Sequence, residues 1–310
     1  MADLTDRLYE KKWGVFTHFL SECQNKPGDA SCTVTKETSW NDCVNGFDAA
    51  LLARQLKEAG AGYLFFTVMQ GTRYLCAPNA AYNEITGFKP GEAASDRDLI
   101  NDLYEALNPY GIDLYLYYTG DGPHMDPVGG PAFGFTEPRT GVTYEFINKW
   151  AAVLREYCVR YGDKVKGWWI DGCYTFFDYD DDKLKIYKDA VRAGNERAVV
   201  AFNGGVFDKV AYYCIHDDFL CGEMNDFVDM PGSRFLKGKQ WHLLAPIGVS
   251  PDETAWNAWC KPGVKRSGAY MREYVRKVNE KGGVVTVDVC LMRDGSFLTD
   301  QFEVLKEIGR

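Results

Sequence analysis

Short apolar runs alternate with amphipathic stretches along the whole chain, and this alternation constrains the fold more than any other feature. Apolar runs of about four to eight residues are typical of buried parallel strands, and helices repeat their apolar residues every three to four positions. The predicted strands are Trp13–Phe19, Tyr63–Met69, Ile112–Tyr118, Val165–Asp171, Ala198–Phe202, Phe219–Glu223, a weaker one near Trp241–Leu244, and Val284–Asp288. The predicted helices are about Phe47–Ala59, Leu99–Leu107, Tyr144–Tyr161, Leu184–Ala193, Tyr270–Glu280 and Gln301–Ile308.

About eight such units predict an α/β fold, a single (β/α)8 TIM-type barrel. The length of 310 residues alone would also fit two ordinary domains. No linker rich in Pro, Gly or Ser divides the chain, however, and no repeat or low-complexity tract occurs. We therefore expect residues 1–310 to form one barrel domain, without a C-terminal β-sandwich domain.

The composition excludes several classes of partner. There are 44 acidic against 35 basic residues, and the net charge of -9 disfavours a surface that tracks phosphates, so nucleic acid is not expected. Met1–Lys12 has no apolar signal core, and no apolar run is long enough to cross a bilayer. We expect a soluble protein without a membrane partner, and the sequence does not reveal its oligomeric state.

The cysteines and histidines indicate a reducing compartment and no metal. The ten Cys residues include no CxxC pair, and many lie in apolar surroundings, which favours free thiols and the cytoplasm. None of the four His residues has metal-ligand spacing, so neither a metal nor a cofactor is expected. The acidic run Asp178–Asp182 could suggest calcium, but a solvated helix N-terminus explains it more simply.

In a parallel barrel, the side chains at the carboxyl ends of the strands face the substrate. The segment Lys166–Cys173 is the clearest case, because it ends a buried strand with Asp171 followed by Gly172. An Asp in this position can also merely cap the next loop or helix. The other strand-end candidates are His18, Met69, Gln70, Tyr117, Tyr118, Asn203, Glu223, Trp241, His242 and Asp288.

Two carboxylates among many aromatic residues match what glycoside cleavage needs. One carboxylate attacks the anomeric carbon, a second carboxyl group protonates the leaving oxygen, and flat apolar faces pack on the sugar ring. Asp171 and Glu223 lie two strands apart in the predicted order, which allows the separation of roughly 5 Å that a retaining pair has. Taken alone, Glu223 could equally form a structural salt bridge.

Several segments resemble glycoside hydrolase family 29, the α-L-fucosidases, in order over most of the chain. Trp13–His18 resembles the first-strand motif that ends in a sugar-contacting His, and Trp169–Gly172 resembles the stretch that bears the nucleophile. The other matching segments are Phe47–Asp48 and Leu56–Tyr63, Arg97–Leu99, Gly111–Tyr118, Val278–Gly283 and Asp294–Gly295. The resemblance implies a barrel and a retaining mechanism, with Asp171 as nucleophile and Glu223 as acid/base.

The sequence departs from the family pattern at four sugar-contacting positions. Met69-Gln70 replaces a His-His pair, and Ser39–Asn41 replaces a Glu-Trp-Tyr segment. Phe202–Gly204 stands where an Arg is expected, and Trp241-His242 stands for a Trp-Glu pair. Because a pocket built to hydrogen-bond particular hydroxyls discriminates strongly, we expect the recognised sugar to differ from fucose.

Other residues carry a functional and a structural interpretation side by side. Trp168 and Trp169 point to opposite faces, and Trp169 shares the face of Asp171, so Trp169 is the better candidate for sugar stacking. Trp40 and Trp241 are expected to be exposed aromatic residues that bind ligand. His242 could carry protons or hydrogen-bond the sugar. Cys173 is expected to be a packed thiol.

The leading hypothesis is an exo-acting retaining glycoside hydrolase for a terminal, α-linked fucose-like or otherwise modified sugar. The alternative is a catalytically silent barrel that binds carbohydrate, which the altered sugar contacts suggest. An aldolase or isomerase barrel would need a Lys at a strand end or a metal cluster, and the sequence offers neither.

Overall fold

The computed structural model describes residues 3–135, 141–252 and 258–310, and within them seven parallel strands form a curled central sheet in the order β5-β4-β3-β2-β1-β9-β8. The strands are β1 (Trp13–Thr17), β2 (Tyr63–Thr67), β3 (Asp113–Thr119), β4 (Val165–Asp171), β5 (Val199–Phe202), β6 (Phe235–Leu236), β7 (Lys239–Gln240), β8 (His242–Pro246) and β9 (Val284–Val289). Strands β6 and β7 form a separate antiparallel hairpin.

Helices cover the outer face of the sheet. They are α1 (Asp6–Lys11), α2 (Ser21–Gln24), α3 (Trp40–Asn45), α4 (Ala49–Ala59), α5 (Ala80–Thr86), α6 (Leu99–Leu107), α7 (Gly129–Ala132), α8 (Tyr144–Tyr161), α9 (Asp181–Arg192), α10 (Gly268–Glu280) and α11 (Thr299–Ile308). All six predicted helices are confirmed, with ends that differ by at most three residues. The acidic run is a helix N-terminus as expected, because Asp180 caps α9 by accepting the Lys183 N–H at 2.9 Å.

The first and last strands of the chain are neighbours, and this pairing curls the sheet. Strand β1 pairs with β2 on one side and with β9 on the other. Gly14 makes the first pairing possible, because a Cβ atom there would lie 2.5 Å from the Tyr63 carbonyl oxygen. The carboxyl ends of strands that are far apart in the sequence therefore lie together along the same end of the sheet.

The segment 217–224 fills the gap between the edge strands β5 and β8, but it is not the predicted strand Phe219–Glu223. It makes two isolated bridges to β7 and β8, and the Asp218 N–H donates to the Val200 carbonyl of β5 at 2.8 Å. The Asp217 carboxylate accepts the Phe202 N–H at 2.9 Å, so a side chain replaces a ladder bond. The sheet is thus barrel-like, with seven regular strands in the described residues.

Side chains that alternate between the two faces of each strand form two separate apolar layers. Phe16, Phe65, Tyr117 and Trp169 face the inside of the curled sheet. Trp168 belongs to the outer layer between sheet and helices. The predicted opposition of Trp168 and Trp169 is confirmed.

Three further observations complete the fold. No helix in the described ranges is long and apolar enough to span a membrane. All ten cysteines are free thiols. The same ranges hold no cluster of three or more His, Cys, Asp or Glu side chains arranged for a metal ion.

Candidate active site

A cavity of about 590 Å³ opens at the carboxyl ends of the strands. We call it the main cavity. Its lining comes from the loops after β1, β2, β4 and β5, from β3, from the segment 217–224 and from the loop before α10. The lining residues are Phe16, His18, Leu20, Cys23, Gln70, Tyr117, Trp169, Asp171, Tyr174, Phe176, Gly204, Gly205, Val206, Glu223, Leu244, Trp259 and Cys260.

Asp171 ends β4 at the floor of this cavity and is held by side-chain donors. The Tyr117 hydroxyl donates to Oδ2 at 2.6 Å, and the Asn203 amide donates to Oδ1 at 2.7 Å. The Tyr174 hydroxyl donates to Oδ1 at 3.3 Å. Gly172 then turns the chain with a φ of +68°. These three donors, rather than a capped helix, engage the carboxylate of Asp171.

Asn203 links the two carboxyl groups. Its Oδ1 accepts the Gly205 N–H at 3.0 Å, which orients the amide so that Nδ2 faces the cavity floor. Nδ2 donates both to Asp171 and to Oε2 of Glu223. Because both oxygens lie one hydrogen bond from the same nitrogen, their separation cannot exceed about 6 Å. Such a distance suits a retaining pair and is shorter than an inverting pair requires.

The surroundings of the two carboxyl groups favour a proton on Glu223 and a negative charge on Asp171. Burial, and then the charge of Asp171, raise the pKa of Glu223 to about 8, although the Asn203 hydrogen bond lowers it. Burial also raises the pKa of Asp171, but hydrogen bonds from Tyr117 and Asn203 oppose that shift. Asp171 has more donors to stabilise its negative charge, so near neutral pH it is the ionised partner.

The pKa of Glu223 predicts an alkaline limit to activity. If protonated Glu223 is the acid, kcat/KM should be flat just below about pH 8 and fall about tenfold per pH unit above it. We would measure kcat/KM between pH 5 and about 10 with a substrate whose leaving group needs protonation. Glu223→Gln, which cannot titrate, should remove this limb. A limb that persists in Glu223→Gln would assign the titration to another group.

His18 lies beside the carboxylate pair and is held by Asp288. Nδ1 of His18 lies 2.8 Å from Oδ1 of Asp288, whose Oδ2 accepts the Cys260 N–H at 3.0 Å. Burial lowers the pKa of His18, but the charge and hydrogen bond of Asp288 outweigh this effect and raise it. His18 can therefore present a second N–H group to a ligand in the main cavity.

Aromatic rings form one wall of the main cavity. Trp169 stacks on Tyr117 with ring centroids 5.5 Å apart, and its indole N–H donates to the Cys221 carbonyl at 3.2 Å. Trp259 packs edge-on to His18 at 6.0 Å. Flat apolar faces of this kind pack against the C–H groups of a sugar ring.

Six predicted binding residues do not line the main cavity; one of them, Asn203, lies just beneath its floor, where it holds both carboxyl groups. Met69 is fully buried between sheet and helices, and the Tyr118 hydroxyl donates to the Trp150 carbonyl at 3.2 Å in the same layer. The expectation that Trp40 and Trp241 are exposed is wrong, because both are at most 5% exposed. Trp40 starts α3, and its indole N–H donates to the Leu75 carbonyl at 2.8 Å.

Trp241 and His242 were misassigned to the carboxyl end of a strand, although both stand at the start of the strand predicted near Trp241–Leu244. His242 is the first residue of β8, so it lies at the amino end of the strand, opposite the cavity. Its ring lies within 3.0 Å of the carbonyl oxygens of Leu220 and Cys221, and 2.6 Å from the Thr286 hydroxyl. Burial lowers the pKa of His242 to about 4. A neutral, enclosed imidazole cannot exchange protons with substrate at neutral pH.

Because Trp40 is buried in the core, its loss should lower the stability of the fold and leave substrate binding unchanged. Trp40→Ala should destabilise the protein by about 3–5 kcal/mol, because it leaves a cavity and removes one of the two hydrogen bonds that the Leu75 carbonyl accepts, the other coming from the Ser95 N–H. KM should stay near the wild-type value, since the ring does not reach the main cavity. Urea unfolding and steady-state kinetics on the folded variant test this. A large rise in KM without loss of stability would contradict it.

Sequence reasoning missed Tyr174, Phe176, Gly205 and Trp259, which all line the main cavity. They lie in loops, where no periodicity marks the direction of a side chain. The Tyr-Thr-Phe-Phe run just after Asp171 was the available signal, because a loop that follows a catalytic strand borders the site. None of the lining residues is a Lys or Arg in the described ranges, in agreement with the missing Arg after β5.

Several solved glycoside hydrolases have similar folds. An endo-fucoidan hydrolase of glycoside hydrolase family 107 superposes with a TM-score of 0.71 at 14% identity, over 97% of this chain and 92% of that one. An α-L-fucosidase of family 29 from Bacteroides thetaiotaomicron gives 0.64 at 16% identity, over 100% and 74%. A fucosyltransferase mutant of the α-L-fucosidase AlfC gives 0.63 at 18% identity, over 100% and 97%. At these identities the likeness concerns the fold.

The sequence itself decides the family. No curated protein matches it. The α-L-fucosidase family, however, matches residues 35–310, which include β2 to β9 and both carboxylates of the site. The chain therefore belongs to the α-L-fucosidase family, glycoside hydrolase family 29.

Proposed function

We propose that this protein is an exo-acting retaining glycoside hydrolase that releases a terminal, α-linked fucose-like or otherwise modified sugar. The observation that carries the proposal is the single Asn203 amide that hydrogen-bonds both Asp171 and Glu223 at the floor of the main cavity. Membership of the α-L-fucosidase family supports the same chemistry.

In the first step, Asp171 attacks the anomeric carbon while Glu223 gives its proton to the leaving oxygen. The ionised state of Asp171 and the pKa of about 8 for Glu223 suit these roles at neutral pH. In the second step, Glu223, now ionised, takes a proton from water as the water attacks the same carbon and releases the sugar from Asp171. Two displacements return the original anomeric configuration.

The surrounding residues would position the sugar. Tyr117 and Asn203 hold the nucleophile with one hydrogen bond to each oxygen, and Trp169 offers a stacking face. Gln70 and His18 line the cavity and can donate to hydroxyls. No cofactor takes part in this chemistry.

The proposal extends to the architecture and the compartment. We infer that the fold is a (β/α)8 barrel in which segment 217–224 stands for one strand, and that residues 1–310 are one catalytic domain. The bridges of this segment to β7 and β8 and its hydrogen bond to β5 support that reading. Ten free thiols support a reducing compartment such as the cytoplasm.

Hydrolysis of a panel of aryl glycosides, including the α-L-fucoside, tests the function. We expect turnover of one sugar class, with the first-formed product in the α configuration when the reaction is followed by NMR. A first-formed β anomer would refute the retaining mechanism. Sugar binding without turnover, unchanged in Asp171→Ala, would instead support a catalytically silent carbohydrate-binding barrel.

A further inference from the structure

A second pocket of about 160 Å³, which we call the side pocket, adjoins the main cavity at Asp171. Gln70, Asp171, Tyr174 and Phe176 line both spaces. The remaining wall comes from the end of β3, the loop after it and the loop after β4, and Asp121 and His124 are its ionisable side chains. The side pocket therefore begins at the carboxylate to which we assign the attack on the sugar.

The polar groups of the side pocket are buried and incompletely paired. The side chains of His124 and Asp121 are only 9% and 8% exposed. Nδ1 of His124 lies 3.0 Å from Oδ2 of Asp121, but it has no properly directed hydrogen-bond partner in the described residues. Buried polar atoms in proteins nearly always have such a partner. A polar ligand group in the side pocket could supply the hydrogen bond that His124 lacks.

Asp121 is fixed close to the reacting centre. Its Oδ1 accepts the Thr119 hydroxyl, and a Cβ atom on Gly172 would lie 2.7 Å from its carboxyl carbon. Asp121 thus packs directly on the backbone that follows the nucleophile, and Gly172 is required for this approach. The side pocket is therefore held in a defined position relative to Asp171.

The chemistry of the main cavity limits what can enter the side pocket. Glu223 lines the main cavity and not the side pocket, so the leaving group lies away from the side pocket. A sugar with its anomeric carbon at Asp171 carries two substituents next to that carbon, one on C2 and one on C5 across the ring oxygen. Substituents on C3 and C4 are farther from Asp171.

We propose that the side pocket is a specificity subsite for an uncharged, hydroxyl-bearing substituent on C2 or C5 of the bound sugar, an inference that rests on the proposed function. A hydroxyl group both donates and accepts, which matches the carboxylate of Asp121 and the imidazole of His124. Asp121 and Asp171 repel an anionic substituent, and no Lys or Arg lines the pocket in the described part of the chain.

Equilibrium binding of three monosaccharides tests the proposal without requiring turnover. L-galactose differs from L-fucose by a hydroxyl on the C5 substituent, and 2-deoxy-L-fucose lacks the C2 hydroxyl. We expect the protein to bind the hydroxyl-bearing member of one pair about tenfold more tightly by calorimetry. A preference within the first pair assigns the pocket to C5, and one within the second pair assigns it to C2.

His124→Phe should reduce this preference to near unity, because it removes the imidazole that, together with the Asp121 carboxylate, would pair with the hydroxyl. His216→Phe is the matched control and should keep the preference, since His216 lies outside both cavities. His124→Leu replaces His124→Phe if circular dichroism shows that the latter does not fold. A preference that survives both His124 variants, or no preference in either pair, overturns the subsite.

The two proposals fail separately. A His124-dependent preference without hydrolysis of any aryl glycoside leaves the subsite standing and refutes the hydrolase. Hydrolysis that needs Asp171, together with a preference that ignores His124, refutes only the subsite.

Discussion

Replacing Asp171 with Ala is expected to lower kcat/KM for the preferred aryl glycoside by about 10,000-fold or more, because the substitution removes the proposed nucleophile. The substituted protein should still fold and bind the sugar, since the cavity walls remain. Azide added to Asp171→Ala should restore turnover by occupying the vacated space. Its product should be the glycosyl azide of inverted configuration, because only one displacement occurs.

Asp182→Ala is the matched control for this experiment. Asp182 is exposed in the first turn of α9 and does not line the main cavity, so the variant should keep wild-type kinetics. Loss of activity in Asp171→Ala together with a collapse of the thermal transition would mean that the fold, and not the chemistry, had failed. Activity that persists in a folded Asp171→Ala would remove Asp171 from the mechanism.

Replacing Glu223 with Ala should produce a loss that depends on the leaving group. With a phenyl glycoside, which needs a proton, we expect kcat/KM to fall by about 100- to 10,000-fold. With a dinitrophenyl glycoside, which leaves unaided, kcat/KM should change little, and release of the sugar from Asp171 becomes rate-limiting. Azide should then accelerate turnover and give the glycosyl azide of retained configuration, because two displacements occur.

Glu196→Ala is the control, since Glu196 is exposed and lies outside the main cavity. Glu223→Gln adds a near-isosteric comparison in which the buried hydrogen bond from Asn203 can persist. Equal losses for both leaving groups would contradict the acid/base role of Glu223. In that case the buried carboxyl group would act through the electrostatics of Asp171.

Glu223 shows which parts of the site could be predicted from the sequence and which could not. Glu223 was a candidate because it ended a predicted strand and because the family resemblance implied an acid/base there, but the predicted strand is instead a segment with isolated bridges. Its side chain nevertheless lies at the cavity floor, because two backbone hydrogen bonds hold this segment against β8. The Met224 N–H donates to the Leu244 carbonyl, and the Leu244 N–H donates to the Gly222 carbonyl. Local sequence cannot reveal such anchoring, which depends on a strand more than fifteen residues later.

Residues on regular strands with clear alternation were predictable, and residues at irregular boundaries were not. Trp169 faces the inside, as its spacing of two residues from Asp171 on the same strand requires. Tyr117 and Tyr118 were both candidates, but neighbouring residues of a strand point to opposite faces, and Tyr118 is the one that points outward onto Trp150. His242 was assigned to the wrong end of β8, although the predicted start of that strand lies within one residue of the observed start.

The sequence by itself determined the α/β class, the order of the six predicted helices and of seven of the eight predicted strands, and Asp171 at a strand end beside a glycine. These features follow from local periodicity and chain direction, which each segment carries within itself. Only the tertiary structure decided that one Asn203 amide joins Asp171 to Glu223, that Trp40 and His242 are enclosed, and that Asp121 and His124 line a pocket beside the nucleophile. Those outcomes depend on the curl of the sheet, which brings together side chains far apart in the sequence and fixes the dielectric environment that sets their pKa values.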